Sequence, residues 1–97
     1  MARFDVYLGK RGYVLDVQAD LLQAISTRIV VPLLPIGRSL EAARQLNPTF
    51  EVDGRPLRMF TQLVAAIPKS EIGAFKASLA QDADAITRAL DIALRGF

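Results

Sequence analysis

The chain changes its hydrophobic period once. From Phe4 to Phe60 apolar and polar residues alternate in short runs, whereas from Leu79 to Leu94 apolar residues recur with helical spacing. A period of two belongs to half-buried strands and a period of 3.6 to an amphipathic helix. Strands first and one helix last argue against a βαβ unit. They predict an α+β, mainly β fold: a small antiparallel barrel or curled sheet with a C-terminal α-helix.

Phe4 to Leu8 reads as a first strand, Gly9-Lys10-Arg11-Gly12 as a turn, and Tyr13 to Val17 as the returning strand. Asp20 to Thr27 has partial helical spacing but is short and flanked by strands, which suggests a loop. Ile29 to Leu34 is β-branched and apolar, as a central strand is, so Pro32 must sit at a bulge or where no ladder donor is needed. Pro35 to Ser39 breaks the chain. Phe50 to Phe60 is the clearest local signal, two alternating strands joined at Asp53-Gly54, a dipeptide suited to the positive φ angles of a type I′ turn. Thr61 to Ile67 is expected to continue extended and Pro68 to Gly73 to close the β region. Ser78 and Gln81 have the spacing of a capping box. Leu79, Ala83, Ile86, Leu90, Ala93 and Leu94 line one face of the helix that follows.

Ninety-seven residues predict one domain, and a chain of this size buries only ~65% of its extended surface. Yet 52% of the residues are hydrophobic and the mean hydropathy is +0.27. That surplus predicts a self-associating surface, with a partner-binding patch as the other outlet. The net charge of +2 is a small imbalance of scattered residues, with only Lys10 and Arg11 adjacent. It is not the clustered stripe with which proteins hold phosphates, so no direct sequence-specific binding of nucleic acid is expected. The longest apolar run, Ile29 to Ile36, holds eight residues and two prolines, which is too short to span a membrane. Arg3 and Asp5 interrupt the only apolar N-terminal stretch, so no signal peptide is read and a cytoplasmic location is expected.

Cysteine and histidine are both absent, which removes disulfides, thiolate chemistry, the commonest general base and the commonest metal ligand. The acids are spread singly, and Asp82 and Asp84 suit a solvated helix start better than a metal site. No cofactor and no metal are expected. Glycines are isolated, so no phosphate-cradling loop is visible. A metal-free ribonuclease built from Arg28, Arg58 and Thr61 is the one catalytic alternative, with guanidinium groups stabilising a phosphorane. The strands of any barrel carry such residues, and binding rather than catalysis is the preferred class.

Five segments, in order and at matching spacings, carry a family resemblance: Phe4-Asp5-Val6-Tyr7, Asp16 to Leu22, Val30-Val31-Pro32-Leu33, Arg58-Met59-Phe60-Thr61, and Ala65 to Pro68 through Ile72-Gly73. With the closing helix and its penultimate glycine, the chain resembles the CcdB family of toxins from toxin–antitoxin modules. The resemblance implies an SH3-like antiparallel β-barrel with a C-terminal helix and a two-fold homodimer. It also implies that the toxin binds the DNA gyrase A subunit on cleaved DNA and traps that complex, doing no chemistry of its own. A cognate antitoxin, largely disordered until it folds on the dimer, would neutralise it. The runner-up is a ribonuclease toxin of the related MazF and Kid fold group, and a third reading is a CcdB-like protein with an altered target.

Transferred by position, the gyrase-contacting residues fall on Leu21, Leu22, Asp91, Leu94, Arg95, Gly96 and Phe97. The antitoxin surface falls on Phe4, Tyr7, Leu21, Leu22, Asp91, Arg95, Gly96 and Phe97. From the residues alone, Leu94 can equally be core, Leu21 and Leu22 can cap the barrel, and Phe97 can plug the protein's own interior. Phe4 and Tyr7 fall on opposite sides of a strand, so at least one should be core. The chain departs from the family at Arg95, where the resemblance places an aromatic that stacks partly on an arginine. A guanidinium there would lose about 1–3 kcal/mol of contact. Phe97, swinging round Gly96, is the candidate to replace it.

Overall fold

The computed structural model describes residues 1–36 and 45–96. Within them the strands are β1 (Asp5–Gly9), β2 (Gly12–Asp16), β3 (Thr27–Pro35), β4 (Thr49–Val52), β5 (Arg55–Met59), β6 (Ala65–Pro68) and β7 (Ile72–Ser78), and the helix is α1 (Ala83–Arg95). All seven strands join one antiparallel sheet in the order β4-β5-β3-β2-β1-β7, with β6 also pairing β3. The curled sheet followed by one helix is the predicted α+β architecture.

The period-two pattern explains the layering. Cross-strand partners Val6, Leu15 and Val31 share one face of the sheet, and Leu33 and Met59 continue it. On that face they form the core with Phe50, Val52, Leu57 and Leu79. Helix α1 closes it by burying Ile86, Ala89 and Leu90, where the two larger side chains contribute about 1.5–3 kcal/mol each. The opposite face carries Tyr7, Val14 and Pro32 in register, then Asp16, Val30 and Ala65.

Local chemistry fixes the turns. Asp53 and Gly54 have φ of 53° and 74°, so both central positions of the β4–β5 turn are left-handed, as a type I′ turn requires. Pro32 pairs with Val14 on one side. On its other side it falls between the pairing of β3 with β6, which ends at Val30, and with β5, which begins at Leu33. The missing N–H is therefore not demanded there, while the Pro32 carbonyl accepts the Phe60 N–H at 3.0 Å.

Several expectations are corrected. Phe4 is not a strand residue but has φ of 75°, fixed by its N–H to Asp16 O (2.6 Å) and its carbonyl to Leu79 N (2.8 Å). Thr61–Leu63 is a 3-10 turn rather than a continuation of the strand. The β region does not close at Gly73. A further strand, β7, returns along β1, its register shifting between Val6, Tyr7 and Gly9. Its composition of small and mostly exposed residues hides it from a hydrophobic-pattern reading. The capping box does not form. The Ser78 hydroxyl accepts only the Ala80 N–H (3.3 Å), and a 3-10 turn, Ala80–Asp82, leads into α1 without a side-chain cap. Pro35 is the last residue of β3 rather than a breaker, and Ser39 and Phe97 lie outside the described residues.

Candidate functional site

Leu21 and Leu22 sit on a 3-10 turn, Asp20–Leu22, between β2 and β3. Leu21 is 93% exposed, and Leu22 and Ile25 are also exposed, so the pair does not cap the barrel. A solvated aliphatic turn of this kind needs outside support, and the structure supplies it at several points. The Asp20 carboxylate accepts the Arg3 N–H at 2.8 Å. The Gln18 side-chain amide donates to Leu22 O at 2.9 Å. Lys69 donates from Nζ to Gln23 O (2.6 Å) and from its backbone N–H to Ser26 O (3.0 Å).

The second candidate surface is the end of α1. The row Ile86, Leu90, Leu94 runs along one side of the helix, but the core beneath it ends after Leu90. Leu94 is 72% exposed, which resolves its two readings in favour of the surface. Asp91 is half-buried and Arg95 exposed. Gly96 has φ of 84° and donates to Ile92 O at 3.0 Å, ending the helix in the left-handed conformation that glycine adopts without strain. The 21–22 pair and the helix end thus stand on two different elements, each presenting leucine to solvent.

Phe4 and Tyr7 lie on different faces, although Phe4 stands outside β1 and strand alternation does not set its side. Phe4 is half-buried against the core, with the Arg3 guanidinium 4.7 Å from its ring centroid. Tyr7 is buried on the opposite face, edge-on to Phe75 with ring centroids 5.8 Å apart. Its hydroxyl donates to Asp5 at 3.2 Å. Burial first, then the negative charge of Asp5 and this hydrogen bond, push the Tyr7 phenol above its ordinary value.

The three ribonuclease candidates are not an open catalytic set in this chain. Arg28 is fully buried, bonded through Nε (2.9 Å) and Nη2 (2.5 Å) to the equally buried Asp16. Thr61 is buried and donates to Leu46 O at 2.5 Å. Arg58 is half-buried, with its Nε shielded from solvent. The Asp16–Arg28 partnership escaped the sequence reading, although its signal was there: each is a lone charge at the end of an apolar strand. Burial raises the Asp16 carboxyl above its ordinary value, opposed by the Arg28 guanidinium and the Gln18 N–H. A cleft of about 390 Å³, lined by Lys10, Arg11, Val14, Pro32, Ala66 and Glu71 among others, also escaped it, because no local sequence pattern marks a concavity. Among the described residues no cluster of His, Cys, Asp or Glu is arranged to hold a metal, and no helix is long and apolar enough to cross a membrane.

A family model described as "CcdB protein" matches residues 3–96. Among solved structures, a mycobacterial endoribonuclease in complex with its cognate antitoxin superposes with a TM-score of 0.79 at 16% identity, covering 97% of this chain and 94% of that one. A second mycobacterial endoribonuclease gives 0.79 at 16% identity, over 97% and 90% of the two chains. The Mycobacterium tuberculosis toxin MazF-mt6 gives 0.74 at 15%, over 92% and 94%. At such identities the likeness is one of fold. It corrects the expectation of a protein without chemistry of its own. That expectation leaned on the missing histidine and scattered positive charge, yet the fold is shared with proteins described as endoribonucleases, so the non-enzyme class does not follow.

Proposed function

The chain belongs to the CcdB family, toxins of toxin–antitoxin modules, and from that premise we propose that it binds the DNA gyrase A subunit and traps it on cleaved DNA. The observation that carries this reading is the exposure of Leu94 on the last turn of a helix whose preceding turns are locked into the core. A large aliphatic side chain on a rigid element, followed by a glycine that redirects the chain, is the form of an interface anchor. On this reading Asp91, Leu94, Arg95, Gly96 and Phe97 meet gyrase, together with Leu21 and Leu22. The cognate antitoxin covers an overlapping surface that also takes in the half-buried Phe4, whereas Tyr7 is too deeply buried in the protein itself to share in it. The single domain acts in the cytoplasm as a homodimer. Exposed Ile29 and Phe75 on the sheet, with Leu63 on the 3-10 turn beside it, support the dimer, because they leave apolar area that a monomer does not cover.

A second reading, a ribonuclease toxin, is favoured by the fold shared with the endoribonucleases. One pair of assays separates the two. Purified protein is mixed with gyrase, ATP and supercoiled plasmid, and separately with RNA alone. Linear plasmid released by protease and detergent is the expected outcome of the first reading. RNA cleavage that co-purifies with the protein, with no linear plasmid, would replace it with the second.

A further inference from the structure

We infer that Gln18 is a positioning residue that holds the Leu21–Leu22 turn in its binding form by tying it to the buried Asp16–Arg28 pair. The inference rests on the proposed binding role of that turn. Gln18 is itself buried, and its backbone N–H and both ends of its side-chain amide are bonded. Its backbone N–H donates to Asp16 Oδ1 at 3.0 Å, while the other oxygen of that carboxylate takes the Arg28 guanidinium. Its side-chain oxygen accepts the Ile29 N–H at 3.1 Å, at the start of the central strand. Its side-chain nitrogen donates to Leu22 O at 2.9 Å. One amide group thus joins the rigid β2–β3 ladder to a turn whose own side chains face water.

The turn has little else to hold it from within. Of its internal bonds only Leu22 N–H to Ala19 O is short (2.9 Å); Gln23 N–H to Asp20 O (3.3 Å) and Ile25 N–H to Leu22 O (3.2 Å), which close its far side, are long, and none of Asp20, Leu21 and Leu22 is buried. A segment with exposed backbone bonds and no buried apolar contacts opens locally at low free energy. Leu22 O, which accepts from both Gln18 and Ile25, is the point where the interior restrains it. A partner that grips Leu21 therefore meets a turn ordered in advance, and the ordering entropy of the loop is not charged to binding.

Two variants test this. Gln18→Met keeps the length and volume of the side chain and removes both of its hydrogen bonds. Gln18→Asn keeps the amide but is one methylene too short to span Leu22 and Ile29. Hydrogen exchange is measured on the free protein, and binding to the purified gyrase A subunit by calorimetry. The Gln23 and Ile25 amides are expected to exchange about tenfold faster in both variants, with the β1 and β2 amides unchanged. Gyrase affinity is expected to fall about tenfold, and that loss should vanish when Leu21→Ala is combined with either variant. Unchanged exchange at Gln23 and Ile25 would overturn the inference. So would faster exchange with undiminished affinity, since Gln18 would then serve stability alone. If the unmodified protein does not bind gyrase, the partner assignment fails, and the exchange measurement still decides whether Gln18 holds the turn.

Discussion

Asp16 and Arg28 lie on neighbouring strands of the sheet and meet as a fully buried ion pair, two guanidinium nitrogens converging on one carboxylate oxygen. Arg28 Nη1 finds no partner there and is shielded from solvent. Desolvating both charges is expensive, and attraction between them offsets it only while both are present. Arg28→Met should therefore lower the unfolding free energy by about 3–5 kcal/mol, because it strands a buried carboxylate. The double change Asp16→Leu with Arg28→Met should recover most of that loss. Urea denaturation of the three proteins checks both expectations, and a double variant no more stable than Arg28→Met would refute the desolvation argument.

Tyr7 makes stability depend on alkaline pH. Its folded-state phenol titrates above the ordinary 10.0, so above that pH the folded state holds a proton that the unfolded chain has begun to release. Stability from this group is fully present below pH 10 and falls as pH rises through the folded-state value. Tyr7→Phe removes the titration. Its unfolding free energy should decline less between pH 9 and pH 11 than that of the unmodified protein, although the lost bond to Asp5 lowers it at neutral pH.

Gly73 is a position of close approach rather than of unusual backbone. A Cβ built there would lie 2.5 Å from the Leu8 carbonyl oxygen, which belongs to the paired strand β1 and cannot rotate away. Gly73→Ala should destabilise the fold by about 1–3 kcal/mol, as overpacking against backbone does. Its effect should appear in hydrogen exchange as opening of the β1–β7 pairing first.

The fold was legible wherever a side chain announces its own environment. Alternation placed β1, β2, β4 and β5, a continuous β-branched apolar run placed β3, Asp53-Gly54 fixed a turn, and the change of period placed α1. What stayed hidden depends on partners distant in sequence. Strand β7 is defined by its pairing with β1, and residues such as Gly73 and Ala74 carry no apolar signal of their own. The site divides the same way. Leu21, Leu22 and Gly96 could be named from the family pattern, but nothing local distinguishes Leu94 as surface from Leu90 as core on one helical row. Gln18 lies within a segment of the family pattern, but nothing there marks its role, which comes from three bonds made by a residue that looks like an ordinary loop amide.

Leu90 and Leu94 stand one helical turn apart, and the contrast between them gives the most direct test of the binding surface. Leu90 is buried among core residues, so Leu90→Asp places an unpaired charge in an apolar interior and should prevent stable folding. Leu94 is mostly in water, so Leu94→Asp should change the unfolding free energy by no more than about 0.5 kcal/mol, the usual range for exposed positions. If Leu94 anchors the toxin to its partner, the same substitution removes an apolar contact and buries a charge at the interface. Partner affinity should then fall by about 2 kcal/mol, roughly thirtyfold, and toxicity should be lost in cells that still contain soluble protein. Leu21→Asp should behave alike, because it also sits in water on a supported turn. A Leu94→Asp protein that is folded, abundant and fully toxic would place the binding surface elsewhere on the molecule.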